Sequence, residues 1–64
     1  MNKIKKIAKE KNMTIQEIIE KSRISKTHMY DIINERKSPT LRVAERIAKT
    51  LDVDLSELFP LKEE

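Results

Sequence analysis

Residues 14–34 read TIQEIIEKSRISKTHMYDIIN, and this stretch decides the fold. Thr14 is followed three residues later by a glutamate, which is the capping-box pattern that starts a helix. Ser25 supplies a second helix-start residue, because its hydroxyl can accept from the free backbone N–H groups of a first helical turn. The pattern predicts two short helices, over 15–22 and 26–34, joined by a tight turn. Apolar side chains recur on one side of each predicted helix: Ile18, Ile19, Met29, Ile32 and Ile33.

The flanking sequence predicts three more helices and a tail, over residues 3–11, 41–51, 55–59 and 60–64. Thr40 is placed to cap the fourth helix, and Asp54, with a glutamate three residues on, is placed to cap the fifth. The apolar residues that recur at helical spacing in the first and fourth helices are Ile4, Ile7, Ala8, Leu41, Ala44, Ile47, Ala48 and Leu51. We therefore expect these residues to form buried stripes.

The chain contains no glycine. Every backbone position of positive φ must therefore be filled by a residue that carries a Cβ atom. Asparagine tolerates this conformation better than most residues, and Asn12 and Asn34 stand where the first and third predicted helices end. We expect both to be left-handed.

Length and composition limit the class of protein. A chain of 64 residues has room for one small core, so we expect a single domain over 1–64. The absence of cysteine excludes disulfide frameworks and thiolate–metal sites, and it is compatible with a reducing cytoplasm. No apolar run approaches the roughly 20 residues that span a bilayer. We expect an all-α, cytoplasmic protein with no membrane association, cofactor, metal or evident small-molecule ligand.

Charge is divided unevenly along the chain. Residues 1–37 carry 10 basic and 5 acidic groups, a net charge of +5, whereas residues 38–64 carry 4 and 6, a net charge of −2. A basic first half suits a polyanion, because affinity for nucleic acids comes largely from neutralising phosphates. A solvated lysine-rich surface would give the same count.

Five short helices with a tight turn between the second and third resemble the Cro and lambda-repressor (XRE-like) family of helix-turn-helix proteins. The segments that carry the resemblance are TIQEII at 14–19, ISKT at 24–27, SPTL at 38–41 and IAKTLDVDLSELF at 47–59. The resemblance covers about residues 3–59. It implies a five-helix lambda-repressor-like fold in which the second and third helices form the DNA-binding motif. It also implies a transcriptional regulator, a repressor of phage or mobile-element type, that binds a palindromic operator as a homodimer.

The same resemblance assigns base reading in the major groove to residues of the third helix, which are Lys26, Thr27, Tyr30, Asp31 and Asn34. Lys26 can donate to guanine O6 or N7, and Asn34 can reach adenine or a phosphate. Thr27 offers a methyl group to thymine, and Tyr30 offers a ring and a phenol. For Asp31 two interpretations stay open, because its carboxylate can accept from cytosine N4 or can repel a phosphate.

Contacts with the DNA backbone are expected at helix starts and in the loop after the third helix. The residues assigned to them are Thr14, Gln16, Ser25, His28, Arg36 and Lys37. Helix N-termini present unpaired N–H groups that bind anions. His28, the only histidine, is either a backbone contact or an ordinary packed or solvated side chain.

Three positions depart from the family's pattern. Arg23 stands where the family usually has glycine in the turn, so the turn is either strained or built differently. Ile19 stands where a small residue is expected, and Ser22 is placed to supply the missing space. Ile15 replaces a polar residue that contacts phosphate, so this contact is either lost or moved to Gln16.

An apolar cluster near the C-terminus offers a second surface, and its members are Val53, Leu55, Leu58, Phe59 and Leu61. These residues either complete the core or form a self-complementary patch across a two-fold axis. Such a dimer would place two recognition helices about 34 Å apart, one turn of DNA.

The alternative to a DNA reader is a protein-interaction module of the same fold, similar to an antirepressor or antitoxin. It would dock a partner through Ile15, Ile33 and the C-terminal apolar patch. An enzyme is not expected, because the sequence has no nucleophile with a base partner, no glycine-rich phosphate loop and no metal-ligand cluster.

Overall fold

The computed structural model describes residues 2–60. Its five helices are α1 (Ile4–Glu10), α2 (Ile15–Ser22), α3 (Lys26–Ile33), α4 (Leu41–Leu51) and α5 (Leu55–Leu58). The described part of the chain contains no strand, so the predicted all-α fold is confirmed. The predicted bounds of α2 and α4 match these, whereas α1 is one residue shorter at each end and α3 and α5 each end one residue earlier.

One apolar core joins all five helices. The side chains that are almost completely buried are Ile4, Ile18, Met29, Ile32, Ile47, Leu51 and Leu58. Each such side chain contributes about 1.5–3 kcal/mol by leaving water. Helix α4 packs against α2 and α5, and α3 packs against α2. The angle between α2 and α3 is therefore set by a shared core as well as by the turn that joins them.

The helix starts follow the capping signals. The Thr14 hydroxyl accepts from the Glu17 N–H at 3.0 Å, and the Thr14 N–H donates to Glu17 Oε1 at 2.9 Å, which completes the capping box. Ser25 Oγ accepts from the His28 N–H at 3.2 Å, and Thr40 caps α4 in the same way. The predicted starts of α2, α3 and α4 are confirmed.

Within residues 2–60, four residues have left-handed backbone conformations: Asn12, Arg23, Glu35 and Asp52. The expectation for Asn12 is confirmed, with φ 57°. The expectation for Asn34 is wrong, because its φ is −88° and the next residue, Glu35, has φ 61°. The reason is that the N–H groups of Glu35 and Arg36 turn back to the carbonyls of Ile32 and Asp31, at 3.0 and 2.8 Å. This closure requires the left-handed residue to follow Asn34.

Leu41 does not belong to the buried stripe of α4, and this prediction is wrong. Its side chain is 66% exposed, whereas Ala44, Ile47, Ala48 and Leu51 are buried as predicted. Leu41 is the first residue of α4, and the first side chain of this helix that packs against the core is that of Val43, two residues later. Helical spacing gave the correct side of the helix, but the core does not extend along its whole length.

The N-terminal segment is tied to two distant helices. The Lys3 N–H donates to the carbonyl of Leu58 at 2.9 Å, and the Asn2 side-chain amide donates to the carbonyl of Ile32 at 3.0 Å. Asn2 Oδ1 also accepts from the Ile4 N–H at 3.2 Å. These bonds fix the start of α1 against the C-terminal ends of α3 and α5.

Candidate nucleic-acid interface

Helix α3 presents one polar side to solvent. Met29, Ile32 and Ile33 are buried behind it. On the other side Lys26, Thr27 and Asn34 are exposed, and Tyr30 and Asp31 are half-buried. The structure therefore brings all five predicted base-reading residues onto or beside the surface of one helix.

The residues predicted to contact the DNA backbone lie at the starts of α2 and α3. Thr14, Gln16 and Ser25 are exposed, and His28 is half-buried. Gln16 lies in the first turn of α2, where its side-chain amide donates to Glu20 Oε2 at 3.2 Å. The remaining free N–H groups of the first turns of α2 and α3 can receive an anion.

The turn between α2 and α3 is left-handed at Arg23, with φ 61° and ψ 33°. The Arg23 N–H closes the helix by donating to the carbonyl of Ile19 at 3.0 Å. The turn therefore keeps the left-handed geometry although it has no glycine, and the residue that adopts this geometry carries a Cβ atom. Ser22, the last residue of α2, is buried, while Ile19 is half-buried beside the core.

Arg46 of α4 holds this turn from outside. Its Nη2 donates to the carbonyls of Ser22 at 2.6 Å and Arg23 at 3.1 Å. The last carbonyls of a helix have no partner within it, so Arg46 stabilises the end of α2. This contact was not predicted, because Arg46 lies 24 residues from Ser22 and no local sequence pattern links them.

The loop after α3 carries two cations on its surface. The side chain of Arg36 is 59% exposed and that of Lys37 is 66% exposed. Both lie close to the Asp31 carboxylate, with Arg36 Nε 2.8 Å from Oδ1 and Lys37 Nζ 3.8 Å from Oδ2. The loop thus places two cations, alongside Glu35, next to the end of α3, and their pairing with Asp31 was not predicted from the sequence.

Residues 2–60 contain neither a metal-ligand cluster nor a membrane-crossing helix. No group of three or more His, Cys, Asp or Glu side chains in this range is arranged to hold a metal ion. No helix in the same range is long and apolar enough to cross a membrane.

A comparison with known protein families identifies the family of this chain. The family model for the Cro/C1-type HTH DNA-binding domain matches residues 3–64. The chain belongs to the Cro/C1-type helix-turn-helix family. This family consists of non-enzymatic DNA-binding domains, so the chain is a DNA-binding transcriptional regulator and DNA is its partner. No curated protein and no solved structure gives a significant match.

The surface that we expected to support dimerisation of this Cro/C1-type domain is smaller than the sequence suggested. Leu58 is fully buried in the core of its own chain, so it offers no area to a second copy. Val53, Leu55 and Phe59 are half-buried and pack at the edge of that core. Leu61 lies outside the described residues.

Proposed function

We propose that this Cro/C1-type domain is a sequence-specific repressor, of the kind found in phages and mobile elements, that reads operator DNA through α3. The observation that carries the proposal is the exposed side of α3. It combines hydrogen-bonding side chains with a rigid apolar backing of Met29, Ile32 and Ile33. A side chain reads bases well only when its own helix is fixed in position.

The residues on this side have the chemistry that the major groove requires. Lys26 can donate to guanine O6 or N7, and Asn34 can pair with adenine N6 and N7. Thr27 can place its methyl group against the methyl of thymine. Tyr30 is half-buried, so its ring is held by the core while its phenol can reach a base or a phosphate.

Phosphate contacts would fix the orientation of α3 in the groove. The starts of α2 and α3, at Thr14 and Ser25, offer free N–H groups, and Gln16 and His28 flank them. Arg36 and Lys37 extend the positive surface past the end of α3. Together these groups would clamp the DNA backbone around the recognition helix.

We further propose that two copies bind a palindromic site, with Val53, Leu55 and Phe59 as the apolar part of the contact. These side chains are half-buried at the edge of the core, so a second copy could cover what remains exposed. Sedimentation of the chain with its selected duplex should show two chains per DNA. A stoichiometry of one chain per duplex at saturation would refute the dimer.

The DNA-reading proposal is tested by selecting duplexes from a random pool and measuring binding by fluorescence anisotropy. Lys26→Ala should weaken the selected duplex by about tenfold and random DNA much less, because one good base contact discriminates by about 1–3 kcal/mol. Lys9→Ala is the matched control, since Lys9 is an exposed lysine on α1. An equal loss of affinity for the selected and the random duplex would show that Lys26 contacts a phosphate and does not read a base.

Salt separates this function from a protein-interaction module of the same fold. A DNA reader should lose affinity steeply as salt rises, because each neutralised phosphate releases counterions. If no duplex is bound even at low salt, the DNA-reading proposal fails. The alternative of a module that docks another protein would then be favoured, although Ile33, one of the residues it would use, is only 8% exposed.

A further inference from the structure

Asp31 contacts the loop after α3 through both its side chain and its backbone carbonyl. Its Oδ1 accepts from Arg36 Nε at 2.8 Å, and its Oδ2 lies 3.8 Å from Lys37 Nζ. Its main-chain carbonyl accepts from the backbone N–H groups of Arg36 and Lys37, at 2.8 and 3.3 Å. One residue of α3 therefore holds both cations through side chain and backbone.

The left-handed residue at the end of α3 makes this arrangement possible. Glu35, with φ 61°, reverses the chain after Asn34, so that Arg36 and Lys37 return over the last turn of the helix. Without this reversal the chain would leave the helix end, and the Asp31 carboxylate would be out of reach. The loop is thus held against the last turn of α3 by hydrogen bonds.

The ion pair leaves the outer part of Arg36 available. A guanidinium has five N–H donors, and the single N–H on Nε is the one that Asp31 accepts. The four donors on the two Nη atoms remain, on a side chain that is 59% exposed. The carboxylates of Asp31 and Glu35 together balance the charges of Arg36 and Lys37, so these donors, and not a net positive charge, would hold an anion. With these four donors Arg36 can still bind a phosphodiester group while its Nε–H stays bonded to Asp31.

The same contacts reduce what Asp31 can offer to a base. Its side chain is only 15% exposed, and both carboxylate oxygens face the loop cations. Accepting from cytosine N4 would require at least one oxygen to leave its cation and to reach the groove. The observed geometry favours a different use of this carboxylate.

We propose that Asp31 is a positioning residue that holds Arg36 and Lys37 against the end of α3, where they bind a DNA phosphate, and that it reads no base. This inference rests on the proposed DNA-reading function. A side chain that is already held in one rotamer loses less conformational freedom on binding, so the contribution of Arg36 to affinity depends on Asp31.

A double-mutant cycle tests this dependence. The four proteins are the wild type, Asp31→Ala, Arg36→Ala and the double variant, and each is titrated with the selected duplex. Arg36→Ala should weaken binding about tenfold in the wild type, the loss expected for one charge-assisted contact. In the Asp31→Ala background it should weaken binding only about twofold to threefold, because the guanidinium is no longer held. The cycle cancels the general gain in affinity that follows from removing a negative charge.

A panel of duplexes with single base-pair changes tests the second half of the proposal. Asp31→Ala should change affinity by the same factor across the panel, since a positioning residue carries no sequence information. Asp31→Asn is the isosteric companion, which keeps the shape and removes the charge. In the absence of DNA, the Arg36 Nε–H resonance should be protected in the wild type and lose protection in Asp31→Ala.

Two results would overturn the inference. One is an Arg36→Ala substitution that costs the same factor in both backgrounds. The other is an Asp31→Ala variant that loses the preference at one base pair, which would make Asp31 a base reader. Either result leaves the proposed function intact, because the wild type still selects its duplex. A wild-type chain that binds no duplex would instead remove the proposed function and this inference together. Thermal unfolding of each variant checks that the fold persists, and an exposed ion pair contributes little to stability.

Discussion

Replacing Arg23 with glycine should stabilise the fold by about 0.5–1 kcal/mol. At φ 61° and ψ 33° the Cβ atom of Arg23 lies close to the following carbonyl oxygen, a conflict that costs about 1–2 kcal/mol for a residue other than glycine. Glycine removes the conflict, but its greater freedom in the unfolded chain opposes folding by about 0.5–1 kcal/mol. The difference between these two terms gives the expected gain.

The contacts that hold the turn should survive this substitution. The bond from the Arg23 N–H to Ile19, and the bonds from Arg46 to the carbonyls of Ser22 and Arg23, all use backbone atoms at the turn. The Arg23 side chain is exposed, so its removal leaves no cavity in the core. The predicted gain therefore needs no correction for lost packing.

Thermal and urea unfolding of three proteins decide the point: the wild type, Arg23→Gly and Arg23→Ala. Arg23→Gly should raise Tm by about 2–8 °C, since a change of 1 kcal/mol moves Tm by about 4–8 °C in a domain of this size. Arg23→Ala removes the same side chain but keeps the Cβ atom, so it should stay near the wild type. If the glycine variant is no more stable than the alanine variant, backbone strain at the turn is not the cause.

Three further substitutions probe the core, the support of the turn and the surface. Met29→Ala should destabilise the fold by about 2–5 kcal/mol in urea unfolding, because Met29 is fully buried on the core side of α3. A loss of stability below about 1 kcal/mol would contradict this packing. Arg46→Met should cost about 0.5–1.5 kcal/mol by removing two hydrogen bonds to carbonyls at the end of α2, which water replaces only in part, with Arg42→Met, an exposed arginine of α4, as its control. Leu41→Gln should change the free energy of unfolding by less than about 0.5 kcal/mol, since its side chain is 66% exposed.

The helices were predictable because their signals are local. Thr14, Ser25 and Thr40 each start a helix through a hydroxyl that accepts from an N–H three residues on, and such a bond depends only on neighbouring residues. Helical spacing likewise separated Met29, on the buried side, from Lys26, on the exposed side. The candidate DNA-reading surface followed from this separation and from the family resemblance.

The errors and omissions arose at contacts that helical spacing and capping patterns do not describe. Leu41 has the spacing of a buried residue, but how far the core extends along α4 depends on the other helices. Glu35, and not Asn34, is left-handed, because the position of the closing bonds outweighs the preference of asparagine for that conformation. Arg46 contacts a turn that lies 24 residues away, and Asp31 pairs with a loop cation five residues on, and neither contact has a recognised sequence pattern. These contacts hold the turn and the loop on either side of α3.

The central claim is that DNA binds the exposed side of α3 together with the starts of α2 and α3 and the loop that follows. Mapping backbone amide chemical shifts during titration with the selected duplex tests this most directly. The largest changes should fall within residues 25–37 and 14–17. Changes concentrated instead between the end of α2 and α4, around Lys21 and Lys49, would contradict the claim, even if the chain binds DNA tightly.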